Sequence, residues 1–63
     1  MADWKDWLLF FIKIIEIIII NLPKMGYEAA RSLAVSMTAD KYGVSKDEIE
    51  ERLGRKIDSH FGK

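Results

Sequence analysis

Cysteine is absent from this 63-residue chain and histidine occurs once, at His60. Neither a disulfide framework nor a thiolate metal centre is therefore available to hold it together. That absence excludes a disulfide-stabilised secreted scaffold while leaving a membrane-associated or a cytoplasmic address open. Net charge is missing as well: ten basic residues balance ten acidic ones, so no overall field draws the chain toward nucleic acid or anionic lipid. Reaction chemistry is equally thin. Asp58 and His60 are two apart and point to different faces of a helix, and Ser32, Ser36 and Thr38 have no base beside them in the sequence. The acids Glu48, Glu50 and Glu51 lack the alternating oxygen ligands and glycine of a calcium loop. No glycine-rich phosphate cradle occurs. The expectation is a non-enzymatic protein with no cofactor, no metal and no catalytic residue.

What is present is oil. From Trp7 to Leu22 the sequence reads WLLFFIKIIEIIIINL, with Lys13, Glu16 and Asn21 as its polar interruptions. A chain this small buries only about 60% of its unfolded surface, so a run this apolar asks for cover beyond its own molecule, from further copies or from a bilayer. Isoleucine alone favours strands, but the polar residues set the period. Asp3, Asp6, Lys13 and Glu16 are spaced by 3, 7 and 3, which at about 100° per residue gathers them into one stripe of a helix. Asp3 is placed to act as N-cap, with Asp6 reaching back to it in a first turn whose acids complement the helix dipole.

Residues 1–22 are thus read as a hydrophobic helix, residues 23–26 as a break, and residues 27–63 as a helical hairpin. Pro23 disfavours the α conformation at Leu22, and Gly26 follows closely. A second helix is predicted from about Tyr27 to Tyr42, with Ala29, Ala30, Leu33, Ala34, Val35 and Met37 as its apolar material. Gly43 and Val44 fit a left-handed C-terminal cap and its following apolar residue. Ser45 to Glu48 fit a capping box in which each end accepts the other's amide. The third helix carries Ile49, Leu53 and Ile57 at spacing 4, continuing to Phe61. Gly54 weakens it, by on the order of 1 kcal/mol relative to alanine, enough to suggest a stop at Leu53 and a restart at Arg55. The fold expected is all-α, three helices, a long N-terminal one followed by a tight hairpin.

The stretch from Ala39 to Leu53 resembles the middle of a helix-turn-helix, with its Gly43-Val44-Ser45 turn and apolar Ile49 and Leu53 four and eight residues beyond the serine. The resemblance implies a dimeric DNA binder, but the first turns of the would-be recognition helix offer Asp47, Glu48, Glu50 and Glu51, which phosphates repel. Nucleic acid is therefore a poor partner, and packing is the plainer use of the hairpin.

A membrane can be weighed by magnitude. The run from Trp7 to Leu22 spans roughly 24 Å as a helix, against a hydrocarbon core of about 30 Å. Lys13 and Glu16 cost about as much on insertion as a dozen apolar side chains return, so a lone span is close to neutral. Trp4 and Trp7 suit an interfacial belt or a packed core equally by chemistry. The function expected is a small assembly protein. Its N-terminal helix, through Trp4, Trp7, Leu8, Phe11, Ile12, Ile15, Ile19 and Leu22, drives homo-oligomerisation or membrane association beside a polar stripe of Asp6, Lys13 and Glu16, while the hairpin contacts a protein partner. A membrane-active peptide of the toxin, lysis-factor or bacteriocin kind is the alternative.

Overall fold

The computed structural model describes residues 3–63; residues 1 and 2, the start of the expected 1–22 segment, lie outside it. Two helices are found, α1 from Trp4–Tyr42 and α2 from Lys46–His60. This corrects the expectation of three. The helical backbone runs through Leu22, Pro23, Lys24 and Met25, and the only non-helical residue inside α1 is Gly26, at φ 80° and ψ 170°. Pro23 costs its own amide bond to the carbonyl four residues back, yet the neighbouring turns hold. Asn21 adds a side-chain bond from Nδ2 to the Ile17 carbonyl at 2.9 Å. The break expected over residues 23–26 therefore shrinks to one glycine, because Gly26 alone adopts a backbone conformation that is essentially closed to side-chain-bearing residues.

That glycine bends α1 back on itself. A straight helix of 39 residues would be about 58 Å long, whereas the longest dimension of the molecule is 34 Å. The two arms of α1, residues 4–25 and 27–42, lie against one another: Phe10 near the start meets Tyr42 at the end, ring centroids 4.7 Å apart. The helix α2 then returns beside the first arm, with Arg52 over Trp7 at 5.0 Å and His60 edge-on to Phe11 at 6.2 Å.

The caps behave largely as the sequence suggests. Asp3 Oδ1 accepts from the amides of Lys5 and Asp6, and the Asp6 carboxylate accepts from the Asp3 amide, a complete capping box. Gly43 is left-handed (φ 67°, ψ 32°), and both its amide and that of Val44 donate to the Ala39 carbonyl. At the start of α2 only half of the expected box forms. Ser45 Oγ accepts from the Glu48 amide at 3.0 Å, but the Glu48 carboxylate accepts instead from Arg52 Nε at 3.3 Å, one turn along its own helix. The helix runs unbroken through Gly54.

One core joins the three rods. Ile14 and Ile18 from the first arm, Ala30 and Ala34 from the second, and Ile49 and Ile57 from α2 are fully buried, with Trp7, Phe10, Val35 and Leu53 around them. The small side chains of Ala30 and Ala34 let the arms approach closely, while large ones from both sides fill the space between. Leu33 and Met37, counted as core material from the sequence, are exposed on the outer side of the second arm.

Candidate functional site

The first arm of α1 has three faces, and the core uses only one of them. Trp7, Phe10, Ile14 and Ile18 turn inward, Ile15 is buried at the edge, and Phe11 and Ile17 are half-buried. Asp6, Lys13 and Glu16 occupy a mixed, solvent-facing side together with exposed Leu9 and Ile20, where Lys13 Nζ and Glu16 Oε1 stand 3.9 Å apart in an open ion pair. Between these faces lies a third that is apolar and uncovered: Trp4, Leu8, Ile12, Ile19 and Leu22 are 38–70% exposed. The association residues named from sequence are thereby divided. Trp7 and Ile15 are used within the molecule, Phe11 straddles, and the other five look outward.

The uncovered face has a definite register. Leu8, Ile12, Ile19 and Leu22 are exposed, with the buried Ile15 as the floor between them, and the five follow one another at steps of 4, 3, 4 and 3, the spacing that keeps a seam turned toward a neighbouring helix. Leucine or isoleucine falls at one position of the repeat and isoleucine at the other. At its N-terminal end the seam borders an open groove of about 560 Å³ lined by Trp4, Trp7, Leu8, Phe11, Arg52 and Lys56. None of the described residues fills it.

Opposite this face, a polar clasp ties α2 to the second arm. The Arg31 guanidinium donates to both oxygens of Glu50, at 2.5 and 2.8 Å, and from Nε to Asp58 Oδ1 at 2.8 Å. The Tyr27 hydroxyl donates to the same Asp58 oxygen at 2.5 Å. Paired guanidinium and carboxylate forks of this kind are the strong end of the hydrogen-bond range. Glu50 raises the Arg31 pKa further, opposed by burial. The hydroxyl of Tyr27 and then the Arg31 charge hold Asp58 below the ordinary carboxylate range. Burial, followed by the bond to Asp58, pushes Tyr27 upward. Gly54 belongs to this clasp: its carbonyl accepts from Arg31 Nη2 at 3.3 Å, and a Cβ there would stand 2.8 Å from Glu50 Oε1. What the sequence marked as a weak point of the helix is the clearance that the clasp needs.

The clasp was missed from sequence, although a signal existed. Tyr27 and Arg31 are four apart, as are Glu50, Gly54 and Asp58, so each set shares one helix face; what could not be read was that the two faces meet. The hairpin-turn residues Gly43, Val44, Ser45 and Glu48 serve the caps described above and converge on no pocket. His60 is exposed and stacks near Phe61 at 5.1 Å, while Asp58 faces the clasp. Among the described residues no group of three His, Cys, Asp or Glu gathers where it could hold a metal ion. No helix among them is long and apolar enough to cross a membrane. No family model, curated protein or solved structure is significantly similar to this chain.

Proposed function

We propose that this chain is a non-enzymatic association module whose N-terminal helix presents an apolar face for a partner to cover. The observation that carries the reading is the exposure of Leu8, Ile12, Ile19 and Leu22 along one register of the first arm, on a rod whose opposite side already supplies the core. A monomer gains nothing from showing these side chains to water; each fully buried leucine or isoleucine is worth roughly 1.5–3 kcal/mol. The shared core and the contacts of Phe10 with Tyr42 and of Trp7 with Arg52 hold the rod against the rest of the molecule, so the face is presented on a packed support. On the second arm, exposed Leu33 and Met37 offer a smaller surface for a protein partner.

A membrane-active peptide is the second reading, favoured by Trp4, which stands 70% exposed at the end of the seam with Lys5 over its ring at 5.9 Å. An aromatic ring beside a cation at the end of an apolar face suits a bilayer interface. DNA binding has weaker support: of the acids in the first turns of α2, Glu48 pairs with Arg52 and Glu50 with Arg31, and the remaining Asp47 and Glu51 would repel phosphate. Sedimentation of the purified chain, alone and with phosphatidylcholine vesicles, tests the module. The expected result is a mass above one chain in plain buffer or transfer to the vesicles. A stable monomer indifferent to both contradicts it. Release of a trapped dye on vesicle binding favours the second reading over the first.

A further inference from the structure

We infer that the partner of this face is a second copy of the same chain, docked antiparallel about a twofold axis between Ile12 and Ile15; the inference rests on the association reading above. Within one seam, the Leu8, Ile15 and Leu22 positions alternate with those of Ile12 and Ile19. When the seam meets an inverted copy of itself, layers form in which Leu8 opposes the partner's Ile19 and Ile12 lies over the edge where the partner's Ile15 is already covered by its own core, and the twofold axis repeats each layer. Leu8, Ile12 and Ile19 then meet apolar residues and Leu22 meets the partner's Lys5, and knobs of one helix enter holes of the other.

The antiparallel direction follows from charge and from the ends. Lys5 continues the seam one step before Leu8 and Ile12. In a parallel pair it would face its own copy, two ammonium groups across a seam and two helix N-termini side by side, both unfavourable. Inverted, the Lys5 stem lies on the partner's Leu22. Its ammonium then reaches the end of the partner's first arm, where Gly26 leaves helical geometry and a cation complements the negative end of the helix dipole. The same inversion brings Met25, which is 41% exposed, over the groove walled by Trp4, Trp7 and Leu8, a contact between a thioether and aromatic rings. Size sets a ceiling: Trp4, Leu8, Ile12, Ile19, Leu22 and Met25 expose on the order of 600 Å² per copy, so complete cover in a twofold pair removes about 1,200 Å² from these residues, the low end of specific interfaces.

Because the chain has no cysteine, introduced thiols report the geometry directly. Leu8→Cys chains and Ile19→Cys chains, unfolded together, refolded and mildly oxidised, are expected to cross-link to each other as a covalent dimer. Each variant alone should resist cross-linking, since the two copies of either position stand about 16 Å apart along an antiparallel pair. Separately, Ile12→Lys is expected to weaken self-association at least about a hundredfold while circular dichroism stays helical. Efficient cross-linking of each variant to itself overturns the antiparallel pair. So does a dimeric mass with no cross-linking in any combination, which moves the contact to another surface. A monomeric wild type that binds phosphatidylcholine vesicles removes the second copy but leaves the association reading standing; a monomer that ignores vesicles removes both.

Discussion

At the scale of single residues, glycine decides the architecture. Gly26 holds φ 80° and ψ 170° with nothing within 4 Å of a would-be Cβ, so its role is conformational and not one of clearance. Gly26→Ala is expected to cost about 1–3 kcal/mol, read as a lowered Tm in thermal unfolding. Gly54 is the opposite case, an ordinary helical residue whose missing Cβ makes room for Glu50 and Arg31. Gly54→Ala should gain about 1 kcal/mol of helix propensity while displacing the Glu50 carboxylate, so its net effect on unfolding free energy is expected within about 1 kcal/mol of zero. Lys13 sits in an open pair with Glu16 away from the seam. Lys13→Glu should change stability by less than about 1 kcal/mol and leave assembly intact; loss of assembly would place the polar face in the contact.

At the scale of elements, the clasp is the connection between α2 and the second arm with the clearest pH signature. Arg31→Ala leaves Glu50, Asp58 and the Gly54 carbonyl without their shared donor and is expected to destabilise by about 1–3 kcal/mol in denaturant unfolding. Asp58 has a depressed pKa in the folded chain, so its contribution is present above the ordinary aspartate range and is lost as pH falls through its folded value. Tyr27 is raised, so its share is present below the ordinary tyrosine range and is lost as pH rises through its folded value. Stability measured against pH should fall at both ends, and Tyr27→Phe should flatten the alkaline limb and also shrink the acid limb, because the Tyr27 hydroxyl is the foremost cause of the Asp58 depression, with Arg31 sustaining what remains.

The elements also show what the sequence could and could not convey. Local chemistry was legible: the Asp3 and Asp6 cap, the left-handed Gly43, and the buried line of Ile49, Leu53 and Ile57 all depend on neighbours a few residues away. The number of helices was not, because Pro23 and Gly26 read as one break, whereas the helical backbone continues past Pro23 to Met25 and departs only at Gly26. Which side of the first arm turns inward was also hidden. Apolar residues lie all round most of that helix, so periodicity could not separate Phe10, Ile14 and Ile18 from Leu8, Ile12 and Ile19. Only the small Ala30 and Ala34, matched against the larger first-arm residues, make that choice. The clasp needed knowledge of which helices lie together.

At the scale of the whole molecule, the account is that one chain satisfies its core and still leaves a second apolar face on the same rod. Ile18→Ala removes a fully buried side chain from the core and should cost about 2–5 kcal/mol whatever the state of association. Ile12→Lys should spare the fold and disable the contact. The most direct measurement is the solution mass of the intact chain by sedimentation equilibrium, without detergent or lipid, over a wide range of concentrations. A mass of two chains, falling toward one on dilution and remaining at one in Ile12→Lys, is the predicted result. A single-chain mass at every concentration, with Ile12→Lys indistinguishable from the parent, would contradict it.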